Sequence, residues 1–159
     1  MKSYIQHLRS LIGHRKFIHP AARIIIENEK GEVLFVEKKD TGQLCIPAGG
    51  LEENESIEEC IKREVREECG LRLRSLEVIG LSTRPSQESV SYPNGDEIQY
   101  FTVEFYSNDW EGEIAVQDEE EIRKARFLDA SHAENLPSNE KSAFESLAFY
   151  RQHNRLMLK

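Results

Sequence analysis

The sequence predicts an α/β (α+β) fold, a mixed β-sheet held between helices, as a single domain over residues 1–159. Three observations predict it. Short runs rich in Ile, Val and Phe are set apart by turn residues, with no internal repeat or low-complexity tract. One amphipathic segment, Ile57 to Cys69, interrupts them with helical spacing. Two further helical segments bracket the chain, at residues 3–12 and 139–153.

Taken in order, Ile5, Leu8, Leu11 and Ile12 make the stripe of a short helix that Gly13 stops. That stripe packs on its own domain or on a second subunit, so a homodimer stays open. Arg23 to Ile26 and Val33 to Val36 flank Glu29-Lys30-Gly31 and predict a β-hairpin. Leu44 to Ile46 leads into Pro47-Ala48-Gly49-Gly50, a rigid and then permissive turn. Ser56 with Glu59 forms a capping box for the next helix, and Gly70 supplies its left-handed stop. Leu73 to Ser82 reads as a long strand and Thr83 to Glu97 as a polar loop. Ile98 to Tyr106 alternates as a strand, and Ile114 to Val116 and Arg126 to Leu128 supply short ones. Ser138 or Asn139 caps the last helix, whose apolar side is Ala143, Phe144, Leu147 and Ala148.

Composition narrows the class. With 38% hydrophobic and 31% charged residues the chain reads as a soluble domain. A net charge of −8 argues against a general nucleic-acid binder, and no nucleic-acid partner is expected. An anionic substrate would then depend on local cations or a metal. No apolar run reaches membrane-spanning length and Met1-Lys2-Ser3-Tyr4 opens no signal peptide, which predicts a cytoplasmic protein without a membrane partner. Cys45, Cys60 and Cys69 form no CxxC pair, and Cys60 reads as a small core residue. The five histidines show no metal-ligand spacing.

Chemistry is signalled by carboxylates in the wrong place. On the helix from Ile57 to Cys69 the inward stripe is Ile57, Cys60, Ile61 and Val65. At about 100° per residue, Glu64 and Glu68 fall within that stripe and Glu67 at its edge. Burying such groups unpaired costs several kcal/mol each, roughly, unless a cation compensates. Oxygen ligands of this kind suit Mg²⁺, with Mn²⁺ as the alternative ion. A solvated acidic face is the competing reading, but the outward side had room for these residues.

The segment Gly49 to Leu71, GGLEENESIEECIKREVREECGL, resembles the signature of the Nudix hydrolases without a gap. Gly49, Glu55, Arg63, Glu64, Val65, Glu67, Glu68, Gly70 and Leu71 each sit at the family's spacing. Weaker likeness extends to Gly13-His14-Arg15 and to Tyr92-Pro93-Asn94-Gly95-Asp96-Glu97. The resemblance implies an αβα sandwich and hydrolysis of a pyrophosphate bond in a nucleoside diphosphate linked to another group. It implies that Glu64, Glu67 and Glu68, with a backbone carbonyl of Ala48 or Gly49, hold Mg²⁺. By the same resemblance Arg63 orients a catalytic Glu and Glu55 supports that arginine. The water's base would be Glu64, or else Glu121 from a later acidic loop, with Glu120 close behind.

Substrate contacts come from outside that segment. Gly49 and Gly50 can approach a phosphate closely, and Arg84 and Arg23 can meet a phosphate or carboxylate. The substrate class expected is a small nucleotide derivative: ADP-ribose-like, a dinucleoside polyphosphate or a noncanonical nucleoside triphosphate. The alternative is a Nudix-fold module that senses a nucleotide without cleaving it. Such modules lose carboxylates that this chain keeps.

Overall fold

The computed structural model describes residues 3–159. The order is α1 (Tyr4–Ile12), β1 (Phe17–Ile26), β2 (Val33–Lys38), β3 (Leu44–Cys45), β4 (Ala48–Gly50) and α2 (Ile57–Cys69). Then follow β5 (Arg72–Ser82), α3 (Pro85–Glu88), β6 (Ser89–Ser91), β7 (Glu97–Glu111), β8 (Ile122–Leu128), a 3₁₀ turn (Ala130–Asn135), α4 (Ser138–His153) and β9 (Met157–Leu158).

The main sheet runs β4-β1-β7-β5-β9, with β6 also on β7. It is mixed, because β7 pairs parallel with β1 and antiparallel with β5. β1 is buried without a break from Ala21 to Ile26, as expected of a strand covered on both faces. Its residues Ala22, Ile24 and Ile26 share a core with Cys60, Ile61 and Val65 of α2. Its Ile25 faces the other way, toward Ala143 and Leu147 of α4. The sheet is thus sandwiched between α2 and α4. A smaller antiparallel sheet, β3-β2-β8, extends both cores.

The expected hairpin of Arg23–Ile26 with Val33–Val36 does not form. The turn is present, with the Gly31 N–H donating to the Asn28 carbonyl at 3.0 Å, but only Glu27 and Val33 pair across it. Beyond that bridge β1 is hydrogen-bonded to β4 and β7, and β2 to β3 and β8, so the two strands enter different sheets. Ile114–Val116 is not a strand either. Its neighbourhood serves α2 instead: Ala115 N–H donates to the Cys69 carbonyl, and Gln117 and Asp118 N–H donate to that of Glu67. These are last-turn carbonyls that the helix cannot satisfy itself. The loop from Thr83 to Glu97 contains α3 and β6.

α4 also differs from its expected face. Pro137, not Ser138 or Asn139, occupies the N-cap, and Ala148 is exposed. The buried face is turned toward Glu140, Ser142 and Ser146 because the sheet beneath carries charge. There Arg23 pairs with Glu88 and, at 3.2 Å, with Glu104, while Lys159 Nζ lies 2.9 Å from Glu104 and 2.8 Å from Ser142 Oγ. Ser146 donates to Glu104 at 2.6 Å. All four charged side chains are essentially inaccessible, and two cations balance two anions. Replacing Lys159 by Met keeps the stem and deletes the charge. We expect a loss of about 3 kcal/mol, measured by denaturant unfolding, since Glu104 keeps its burial but loses a counter-charge.

Candidate active site

α2 presents its acids as a consequence of its own registration. The Ser56 hydroxyl accepts from Glu59 N–H at 3.1 Å, Glu59 accepts from Ser56 N–H at 2.7 Å, and Gly70 is left-handed at φ 77°. With both ends set, Cys60, Ile61, Val65 and Cys69 enter the core and carry Glu68 with them. Glu68 is 2% exposed and its Oε2 is buried with no hydrogen-bond partner. The Glu64 side chain is 14% exposed, whereas Glu67 sits at the rim with 41%.

Arg63 ties this cluster together. Its Nε and Nη2 donate to the two oxygens of Glu55 at 2.9 and 2.8 Å, a bidentate pair. Its Nη1 donates to Glu64 Oε1 at 2.8 Å and to Glu67 at 3.3 Å, and Nη2 also reaches the Gly50 carbonyl at 3.2 Å. The Arg63 hydrogen bond holds the Glu55 carboxyl below its usual range. Burial pushes Glu64 up to about 7; Arg63 opposes this and the charges of Glu67 and Glu121 add to it. Burial also raises Glu68 well above the ordinary carboxylate value, with Glu64 adding and Lys38 opposing.

As they stand, no three His, Cys, Asp or Glu side chains among the described residues are grouped tightly enough to enclose an ion. The donor set nevertheless fits a hard divalent cation. Three carboxylates lie within two turns, one oxygen is buried and unpartnered, and burial makes two of the carboxyls bind protons more tightly. Gly49 is part of the fit: a Cβ built there would overlap the Glu64 carboxyl. A side chain at position 49 would have to displace that carboxyl, so glycine there leaves Glu64 where α2 places it.

Gly49 also borders a cleft of about 360 Å³, whose lining does not include Arg63, Glu64, Glu67 or Glu68. Ala48, Gly49 and Gly50 form one stretch of its lining, and Lys38 and Glu121 another. Lys38 donates to Glu121 at 2.9 Å. Burial works against the Lys38 charge, yet this hydrogen bond and the charges of Glu68 and Glu121 outweigh it and raise the ammonium above its ordinary range. Glu120 is exposed and does not line the cleft. The lining also includes Arg23, Glu88, Thr102, Tyr92 and Tyr100. Arg23 is on this surface but already engaged by Glu88 and Glu104, and Arg84 stands outside the lining, at the N-cap of α3.

The chain matches the NUDIX domain family over residues 17–149. It belongs to that family. Among curated relatives, an ADP-ribose pyrophosphatase from Methanocaldococcus jannaschii is 29% identical over 134 residues, which is 81% of this chain and 72% of the relative. An RNA pyrophosphohydrolase from Marinomonas is 36% identical over 38% of each chain. The NAD-capped RNA hydrolase NudC of Pseudomonas aeruginosa is 34% identical over 65% of this chain but only 33% of its own length. This Nudix chain thus spans well under half of the last two. The MutT NUDIX hydrolase structure from Burkholderia pseudomallei superposes with a TM-score of 0.65 at 17% identity, covering 82% of this chain and 98% of that one. A MutT protein from Methanosarcina mazei gives 0.67 at 20% identity, over 89% and 99%. Both likenesses bear on fold: a mixed sheet between helices.

Among the polar residues of the cleft, the sequence reading gave no site role to Glu88, Thr102, Asn139 and Glu140. Glu140 carried a usable signal. It lies three and seven positions before Ala143 and Leu147, an acid on an apolar stripe like Glu64 and Glu68, and it accepts from Ile46 N–H at 2.9 Å. Glu88 carried none, since its burial depends on Arg23 from a distant strand.

Proposed function

We propose that this Nudix pyrophosphohydrolase depends on Mg²⁺ and hydrolyses a small nucleoside diphosphate derivative, with ADP-ribose the first candidate. The observation that carries the reading is the Arg63-tied group of Glu64, Glu67 and Glu68 beside Gly49 at the cleft. The choice of ADP-ribose is supported by the name of a relative matched over 81% of this chain.

In this proposal Glu64, Glu67 and Glu68, with the carbonyls of Ala48 and Gly49, would hold Mg²⁺ (or Mn²⁺). When bound, the ion neutralises pyrophosphate oxygens and lowers the proton affinity of a water. The chain's own residues do the rest. Gly49 and Gly50 line the cleft that would take the phosphates, and Lys38 adds a cation on the Glu121 side. Arg63, fixed by Glu55, orients Glu64. Glu64 takes the proton of the attacking water; Glu121 is the other candidate for that role. Water adds to phosphorus, the anhydride P–O bond breaks, and two phosphate-bearing products leave. Arg23, neutralised by its two carboxylates, shapes the floor rather than binding phosphate, and Arg84 has no part in the reading.

The test is a panel of ADP-ribose, dinucleoside polyphosphates, nucleotide sugars and oxidised nucleoside triphosphates with Mg²⁺ or Mn²⁺. ADP-ribose should yield AMP and ribose 5-phosphate. EDTA should abolish turnover and excess Mg²⁺ restore it. Tight binding of a panel member without cleavage would instead establish a sensing module. Turnover unchanged in EDTA would refute the metal assignment.

A further inference from the structure

Two segments singled out in the sequence, Gly13-His14-Arg15 and Tyr92–Glu97, play no part in the proposed chemistry. They lie some eighty residues apart and meet in the fold. α1 buries none of its own residues, yet its Arg9 gathers both segments. Arg9 Nη1 donates to the carbonyls of Gly13 at 3.0 Å and Arg15 at 2.8 Å, and Nη2 donates to that of Glu97 at 2.8 Å. Its Nε lies 3.4 Å from Asp96, and the guanidinium rests over the Phe17 ring, 4.8 Å from its centre. His14 Nδ1 is 2.7 Å from the other oxygen of Asp96.

The turn held in this way is hydrogen-bonded within itself. Tyr92 N–H donates to the Asp96 carbonyl at 2.8 Å, and Gly95 N–H donates to that of Tyr92 at 3.0 Å. Tyr92 is the residue that matters. It lines the cleft, and its hydroxyl lies 2.6 Å from that of Tyr100, which lines it too. A 39% exposed tyrosine on a polar turn is thereby held as one side of an otherwise open cleft.

We propose that Arg9 is a positioning residue which fixes the Tyr92 side of the cleft, so that Tyr92 and Tyr100 present a set surface to the uncharged part of the substrate. Two tyrosine rings joined through their hydroxyls suit a flat base or a sugar face. This rests on the cleft being the substrate site. Arg9 itself touches no substrate. Its planar fork reaches three carbonyls at once, which a lysine ammonium cannot match from one position.

The experiment compares wild type with R9M, R9K and Y92A. In R9M, amide exchange at Tyr92 and Gly95 should quicken by about tenfold, while amides in β1 and β7 keep their rates. KM for ADP-ribose with Mg²⁺ should rise about tenfold with kcat held within a factor of about three. R9K should recover only part of either effect, and Y92A should reproduce the KM rise. Unchanged exchange at Tyr92 and Gly95 in R9M, or a fall in kcat at constant KM, overturns the proposal. Failure of wild type to cleave ADP-ribose would count against the proposed substrate alone, and the exchange rates would still decide the role of Arg9.

Discussion

Gly49→Ala should fold normally and lose about 100-fold in kcat, a loss expected of a reacting group moved by roughly 1 Å. The new methyl would occupy the space of the Glu64 carboxyl. That carboxyl ends a flexible side chain, so it can swing aside at little cost to the fold. Gly49 sits in β4 opposite Ala22, a setting that alanine adopts without strain, and a strand glycine gains up to about 1 kcal/mol on becoming alanine. Stability should therefore stay within about 1 kcal/mol of wild type while activity collapses. Thermal melting with steady-state kinetics checks both halves. A variant as active as wild type would show that Glu64 need not stay where α2 places it.

Glu67→Gln should lower Mg²⁺-dependent turnover by roughly 10³-fold, about 4 kcal/mol of barrier. The substitution keeps size and shape and removes one negative charge. Glu67 lies at the rim and contributes one 3.3 Å contact with Arg63, so unfolding should shift by no more than about 0.5 kcal/mol. Mg²⁺ titration by calorimetry should show weaker binding alongside the lost rate. An undiminished rate would remove Glu67 from the metal assignment.

Legibility followed distance along the chain. α2, its capping box, its glycine stop and its inward acids all depend on residues within fourteen positions of one another, and helical periodicity reports such relations directly. The β1–β2 turn was equally local, and it forms. What failed was pairing beyond the turn, because alternation says which residues are buried and not which strand lies alongside. Ile114–Val116 failed for a related reason. An apolar triplet reads the same whether its N–H groups face a strand or, as here, the end of a helix.

The site divides along the same line. Glu55, Arg63, Glu64, Glu67 and Glu68 were found together because one helix and the loop before it carry them all. Tyr100 and Thr102 come from β7 and Glu88 from the short helix α3, and only the folded chain brings them into one lining with Arg23 of β1.

By itself, then, the sequence determined the arrangement of α2: carboxylates in helical register behind a glycine turn, a pattern set by backbone geometry. The tertiary structure alone decided what surrounds that helix, including the neutralisation of Arg23 and the docking of α1 on the Tyr92 turn. Both are charge pairings between distant segments, and their partners are chosen by proximity that exists only once the sheet has formed.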